Sequence, residues 1–169
     1  MAKVENAMSR QMKVFNNLPV FMQRYARSKV FGSYIKFAGT AGVDFEEVTQ
    51  ERVICNIANV RKVQNHIKGV HAAAMALVAE TASGFAFGMN LPDDKLPLIK
   101  SMKIEYLKRA QGSLRAVASL TPEQVVRVQS EEKGDVLVSV IVTDESGIEP
   151  IRCEMIWAWV PKKRKEVQG

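Results

Sequence analysis

Cysteine is nearly missing from this chain. Cys55 and Cys153 are its two examples among 169 residues. Two thiols make no disulfide framework, and free thiols inside strand-like segments fit a reducing compartment, so a cytoplasmic protein is expected. Histidine is equally sparse, with His66 and His71 alone. Together with Glu80 they resemble a metal set loosely, without a tight pair such as H-x-x-x-H, and no metal is expected. The opening MAKVENAMSRQMK has no continuous apolar core, so no signal peptide is read there. Internal repeats and domain linkers are missing too, which leaves one domain large enough to bury a core.

In bulk the chain is ordinary, with 47% hydrophobic and 25% charged residues and a net charge of +6. The positive excess favours anionic partners without choosing among them. Much of it lies at the ends, above all in Lys162, Lys163, Arg164 and Lys165. The PKKRKE tail resembles a nucleic-acid patch, but it is short and has no interleaved aromatics for base stacking. A solubilising tail is the simpler reading, and nucleic acid is not an expected partner.

One further absence is local. Between Lys68 and Asp93 the sole formal charge is Glu80, inside GVHAAAMALVAETASGFAFG. The stretch 69–92 has the length of a membrane span, yet Glu80 near its middle would cost about 2.5–3.5 kcal/mol on insertion. His71, Thr81, Ser83 and Asn90 add polar groups. A helix buried inside a soluble protein is equally apolar all round, so no membrane span is expected. An ionised carboxylate in such surroundings must be paired, protonated or used. Perturbed acids in apolar clefts cluster at functional sites.

The spacing of Val4, Ala7, Met8, Met12 and Phe15 predicts a helix over 3–16. Pro19 suits the first turn of a second helix over 19–31. Gly32, Gly39 and Gly42 read as breaks in helical continuity. Alternation around Val53, Cys55 and Ile57 predicts a two-stranded hairpin over 43–60. RKVQNHIKG reads as a loop, 70–88 as a helix and LPDD as a turn. A long strand over 97–110 is expected to carry Leu98, Met102, Ile104 and Tyr106 on one face. Further strands are read at 113–121, from Val136 to Val142, and over 150–160, where Cys153, Met155, Trp157 and Trp159 share one side. Thr121-Pro122-Glu123 reads as a break and Ser146-Gly147 as a turn. The order predicts an α+β protein: a helical arm, two strands, one long apolar helix, then four antiparallel strands. A single apolar helix among so many strands is best buried by a sheet that wraps around it.

Element order and motif together resemble the hot-dog fold of acyl-CoA thioesterases, and among them the PaaI-like members. Those have an Asn, then G-x-x-H-G-G or a near variant, then an acid nine positions after the His. Here Asn65 stands six before His71, Gly69 two before it and Glu80 nine after it. The segment IEYLKRAQG is similar to the family's strand signature of an aromatic, a basic residue, Ala and Gly. Closest in pattern is a branch catalogued as a domain of unknown function, with N-H-x-x-x-x-H-A-x-A…A-E-x-A-x-G and a helical arm. Residues 65–84, NHIKGVHAAAMALVAETASG, fit it. The resemblance implies a helical arm at 1–38, a hot-dog domain at 39–161 and a basic tail at 162–169. There are two departures from the PaaI-like pattern. Ala72-Ala73 replace the glycine pair, and Ile99 stands near the place of a water-orienting Ser or Thr, with Ser101 expected on the other face.

That resemblance implies hydrolysis of acyl-CoA or acyl-carrier-protein thioesters, with no cofactor beyond the coenzyme A of the substrate. The Ala72 N–H, at the positive end of the helix, and the Asn65 amide would polarise the carbonyl. Glu80 would be the base or the nucleophile, with His71 counted among the catalytic residues beside it. The site would be completed across a homodimer, or a homotetramer built from two. Gly69 would let the ligand approach, Lys108 and Arg109 would meet its phosphates, and Lys100 would reach Glu80 or a phosphate. Each residue also has a plain reading. Glu80 pairs with a lysine, Asn65 caps a loop, His71 orients its neighbours, Lys100 snorkels from an edge, and Lys108 and Arg109 end a solvated strand. Three rival functions stand beside hydrolysis. These are a non-catalytic acyl-CoA-binding protein, a hydratase or dehydratase (whose usual His-acid motif is absent), and a nucleic-acid binder acting through the tail.

Overall fold

Period-two burial builds the sheet. Val136, Val138, Val140 and Val142 are buried, while Leu137 and Ile141 between them are half exposed. The computed structural model describes residues 4–162. Its strands are β1 Asp44–Val48, β2 Val53–Ile57, β3 Lys95–Tyr106, β4 Leu114–Ser119, β5 Gly134–Asp144 and β6 Ile151–Pro161. They form one six-stranded sheet in the order β1-β2-β4-β5-β6-β3, with every pairing antiparallel. Helix α4, Ala72–Gly88, packs against β2, β3, β4, β5 and β6. Its residues are buried all round apart from the first turn and a partly open strip through Ala76, Glu80 and Gly84. This is the α+β hot-dog arrangement that the resemblance implies. Among the described residues, no helix is long and apolar enough to cross a membrane.

The arm consists of α1 Ala7–Asn16, α2 Val20–Tyr34 and α3 Lys36–Ala41. It shares one core with the sheet. Phe31 of α2 meets Phe15, Phe45 and Phe85 edge-on, with ring centroids 5.6, 5.2 and 4.7 Å apart. Each such pair contributes about 0.5–1.5 kcal/mol beyond its buried area. Gly32 and Gly39 are not breaks. They lie inside α2 and α3 and let the two helices touch, since a Cβ on Gly39 would sit 2.2 Å from the Gly32 carbonyl oxygen. Gly42 does end α3, with φ at 79°.

Thr121-Pro122-Glu123 opens a helix, α5 Pro122–Ser130, where a break was expected. Thr121 Oγ1 accepts from the Gln124 N–H at 3.2 Å, and Gln124 Oε1 accepts from the Thr121 N–H at 2.9 Å. The segment is therefore a capping box with proline at the first helical position.

β3 also departs from simple alternation. The register steps from Ile99↔Trp157 to Ser101↔Ile156, so Lys100 is the extra residue of a bulge. Directly paired residues share a face. Met102, Ile104 and Tyr106 therefore lie on the inner side with Met155, Cys153 and Ile151, whereas Leu98 goes outward with Ala158. β3 stops at Tyr106, so Lys108 and Arg109 lie beyond the strand rather than at its end. The tail beyond Lys162 lies outside the described residues.

The two sheet edges differ. β1 is covered by α2: Arg27 donates to the carbonyls of Phe45 and Glu46, and Ser28 accepts from the Phe45 N–H at 2.9 Å. Among the described residues no element covers the free edge of β3, and Leu96, Leu98, Met102 and Tyr106 are each 43–52% exposed.

Candidate active site

The loop before α4 is organised by Asn65. Its Oδ1 accepts from the N–H groups of Ile67 at 3.0 Å and Gly69 at 3.1 Å, and its backbone N–H donates to Gly69 O at 2.8 Å. Asn65 thus makes an Asx-type turn, which Lys68 completes with φ at 62°. The Asn65 Nδ2 has no partner among the described residues. Arg109 donates to Ile67 O at 3.1 Å and Asn59 to Lys68 O at 3.2 Å, so the turn is held from both sides. A Cβ on the buried Gly69 would meet the Asn65 amide at an ordinary 3.8 Å. No packing demand explains the glycine.

His71 is the N-cap of α4, and its Nδ1 accepts from the Ala73 N–H at 3.0 Å. The ring proton of the neutral imidazole then sits on Nε2. The N–H groups of Ala74 and Met75 go to His71 O. Of the first helical turn, Ala72 keeps an N–H without a partner among the described residues. Helix ends leave such groups, and they carry the positive end of the dipole. Tyr106 donates to Ala72 O at 3.0 Å and pins this end of α4 to β3. Sequence reading treated Tyr106 as one more apolar-face residue; only the aromatic-basic signature marked it.

Glu80 lies eight residues further along, about 12 Å up the helix axis. Its carboxylate has neither an ion pair nor a hydrogen bond among the described residues. Burial alone pushes its pKa up from the ordinary glutamate range. The paired-lysine reading therefore does not hold. Lys100 instead bonds Asp135 at 2.6 Å on the exposed side of the sheet. Glu80 lines a cleft of about 320 Å³ together with Thr81, Gly84, Trp157 and residues of the arm. Thr81 beside it is 2% exposed, and its hydroxyl has no partner among the described residues. Ile99 sits inward, paired with Trp157, and offers no hydroxyl. Trp157 donates to Ser83 Oγ at 3.0 Å and stacks on Phe87.

The predicted site residues thus separate into two groups within one chain. Asn65, Gly69, His71, Ala72 and Arg109 gather at the start of α4, with Lys108 exposed beside them. Glu80 stands apart over the cleft. Among the described residues, no three His, Cys, Asp or Glu side chains are placed to hold a metal ion. Neither cysteine is poised to react. Burial raises the thiol pKa of both, that of Cys153 to about 11.

The pattern of the family described as Domain of unknown function (DUF4442) matches residues 24–160. No curated protein matches the chain. Solved structures do. A protein of unknown function from Pseudomonas aeruginosa, described as a probable thioesterase, superposes with a TM-score of 0.71 at 21% identity, over 86% of this chain and 97% of that one. A thioesterase from Haemophilus influenzae gives 0.64 at 9% identity, over 77% and 86%. A mutant thioesterase from Pseudomonas aeruginosa gives 0.66 at 13% identity, over 80% and 94%. These likenesses concern the fold alone. The chain belongs to the DUF4442 family, and it shares its hot-dog fold with these solved structures.

Proposed function

We propose that the protein is a thioesterase that hydrolyses acyl-CoA thioesters at a site shared by two copies of the chain. The unpaired, half-buried Glu80 carboxylate carries this reading. β3 and α4 run in opposite directions: Tyr106 touches Ala72, whereas Pro97 borders the same cleft as Glu80 and Gly84. β3 is also the long, apolar, uncovered edge, a liability that a second strand removes. Antiparallel pairing of two β3 strands about a twofold axis sets the Tyr106 end of one beside the Pro97 end of the other. It therefore brings the free Ala72 N–H and Asn65 amide of the partner subunit toward Glu80.

In that arrangement the acyl carbonyl oxygen accepts from the partner subunit's Ala72 and Asn65. Glu80, made more basic by burial, takes a proton from the attacking water. The C–O bond forms, the negative charge rests on the held oxygen, and the C–S bond then breaks as the thiolate regains a proton. Lys108, together with Arg109 where its fork is not spent on Ile67 O, meets the phosphates of coenzyme A.

Thiol release over a panel of acyl-CoA and acyl-carrier-protein substrates tests the activity. Glu80→Gln and Asn65→Ala should each lose at least a hundredfold in kcat. Mixed together they should recover part of it, because one of the two sites in the heterodimer keeps both Glu80 and the opposing Asn65. Full activity of Glu80→Gln refutes the mechanism; absence of recovery refutes the shared site. Ile99 favours a second reading, a non-catalytic acyl-CoA binder, because no strand hydroxyl orients water. Binding without thiol release at every chain length would select it.

A further inference from the structure

The cleft at Glu80 lies between α4 and the arm, with Pro97 of β3 and Trp157 of β6 at its side. Its floor is the face of α4 that carries Glu80, Gly84 and Gly88, and its opposite wall is the arm, through Met8, Gln11, Phe31, Tyr34 and Ile35. We infer that the arm closes a blind acyl pocket over Glu80, with Met8 as its end stop, so that the preferred acyl group is a linear aliphatic chain of medium length. This rests on Glu80 being the end at which the thioester reacts.

The exposed lining is apolar away from Glu80, Gln11 and Tyr34, and the latter two are themselves exposed. A ligand that fits has a polar head at Glu80 and a hydrocarbon remainder. Two measures of length agree. From Glu80 to Gly88 the helix advances about 12 Å, the reach of roughly eight to ten methylenes. The volume of 320 Å³ holds about ten groups of water size. Gly84 makes room for the Trp157 ring, which borders the cleft, and Gly88 for Met8. The blind end is narrow, since a Cβ on Gly88 would lie 3.0 Å from Met8 Cε. Met8 is held there because Asn6, two residues earlier, bonds the carbonyls of Gly88 and Leu91. A bare hot-dog sheet and helix would leave this end open; here the arm supplies a wall.

The test measures binding of a series of non-hydrolysable acyl-thioether CoA analogues, from four to sixteen carbons, by calorimetry. Wild type, Met8→Ala and Gln11→Trp are compared at equal concentration, with circular dichroism as a check on folding. In the wild type, affinity should climb by about fourfold per methylene up to roughly ten carbons and then level off or fall. Met8→Ala should move that break outward by at least two carbons. Gln11→Trp, which adds bulk to the arm wall and keeps Met8, should weaken every chain without moving the break outward. A break in the same place in the wild type and Met8→Ala, or affinity indifferent to chain length, overturns the inference. Because no bond is cleaved in this assay, its outcome is separate from whether thiol is released.

Discussion

Asn6 joins two helix ends with one side chain, and its removal should be felt in both. The residue is 2% exposed. Its Oδ1 caps α1 by accepting from the Ser9 N–H at 2.8 Å. Its Nδ2 donates to Gly88 O at 2.8 Å and Leu91 O at 2.7 Å, with a longer bond to Met89 O. Those carbonyls belong to the end of α4 and the turn after it, where intrahelical donors run out. Asn6→Ala loses the cap, about 1 kcal/mol, and two buried bonds at about 1 kcal/mol each. Met89 O keeps a 3.2 Å bond from Gln50 and Gly88 O a 3.3 Å bond from Leu91, which limits the damage. The sum is about 3 kcal/mol, or roughly 6–12 °C in Tm for a chain of this length. Asn6→Ser keeps a capping oxygen and should fall by about two thirds as much. Thermal unfolding at fixed protein concentration reads both, since any self-association makes a Tm depend on concentration. An Asn6→Ala protein that melts within about 2 °C of the wild type would refute the accounting. So would an Asn6→Ser protein no better than Asn6→Ala.

Gly84→Ala improves helix propensity by about 1 kcal/mol yet should lower the Tm. Its Cβ would lie 2.7 Å from Trp157 Cζ2, and that ring is fixed by Ser83 and Phe87, so overpacking of about 1–3 kcal/mol wins; an unchanged or higher Tm contradicts this. Thr81→Val keeps the shape and removes an unsatisfied hydroxyl, and should raise the Tm by about 2–4 °C in the same assay. The raised pKa of Glu80 sets a sign for pH dependence. Above the ordinary glutamate range the folded protein holds a proton that the unfolded chain has lost, so this group's contribution to stability falls as pH rises toward its raised pKa and is then level. Urea titrations should therefore show Glu80→Gln gaining on the wild type across that window. A difference independent of pH would mean that burial does not perturb the group.

Glu80 was legible because a charge in an apolar helix is rare and its spacing from Asn65 and His71 is counted along the chain. The neighbouring roles were only half legible. Asn65 and His71 are named by the motif, but the structure assigns the Asn65 oxygen to a turn and the His71 Nδ1 to a cap, leaving one amide and one backbone N–H free. Gly32 and Gly39 misled because glycine means a break when read locally and a close contact when two helices cross. Thr121 to Gln124 misled for the opposite reason: its capping box was local, and proline was read as an interruption instead of a first turn. The bulge at Lys100 has no sequence mark, and it turned Leu98 outward and Ile99 inward.

Periodicity and the buried charge in the sequence determined that one helix would be wrapped by an antiparallel sheet and that Glu80 would stand on it as a charge in apolar surroundings. These follow from interactions a few residues apart and from the cost of burying charge. Only the tertiary structure decided what faces Glu80. The arm, whose lining residues stand 45 to 72 positions before Glu80 in sequence, walls the cleft, and β3 is left as the open edge. Contacts at such separation depend on how whole elements pack, and no local pattern records them.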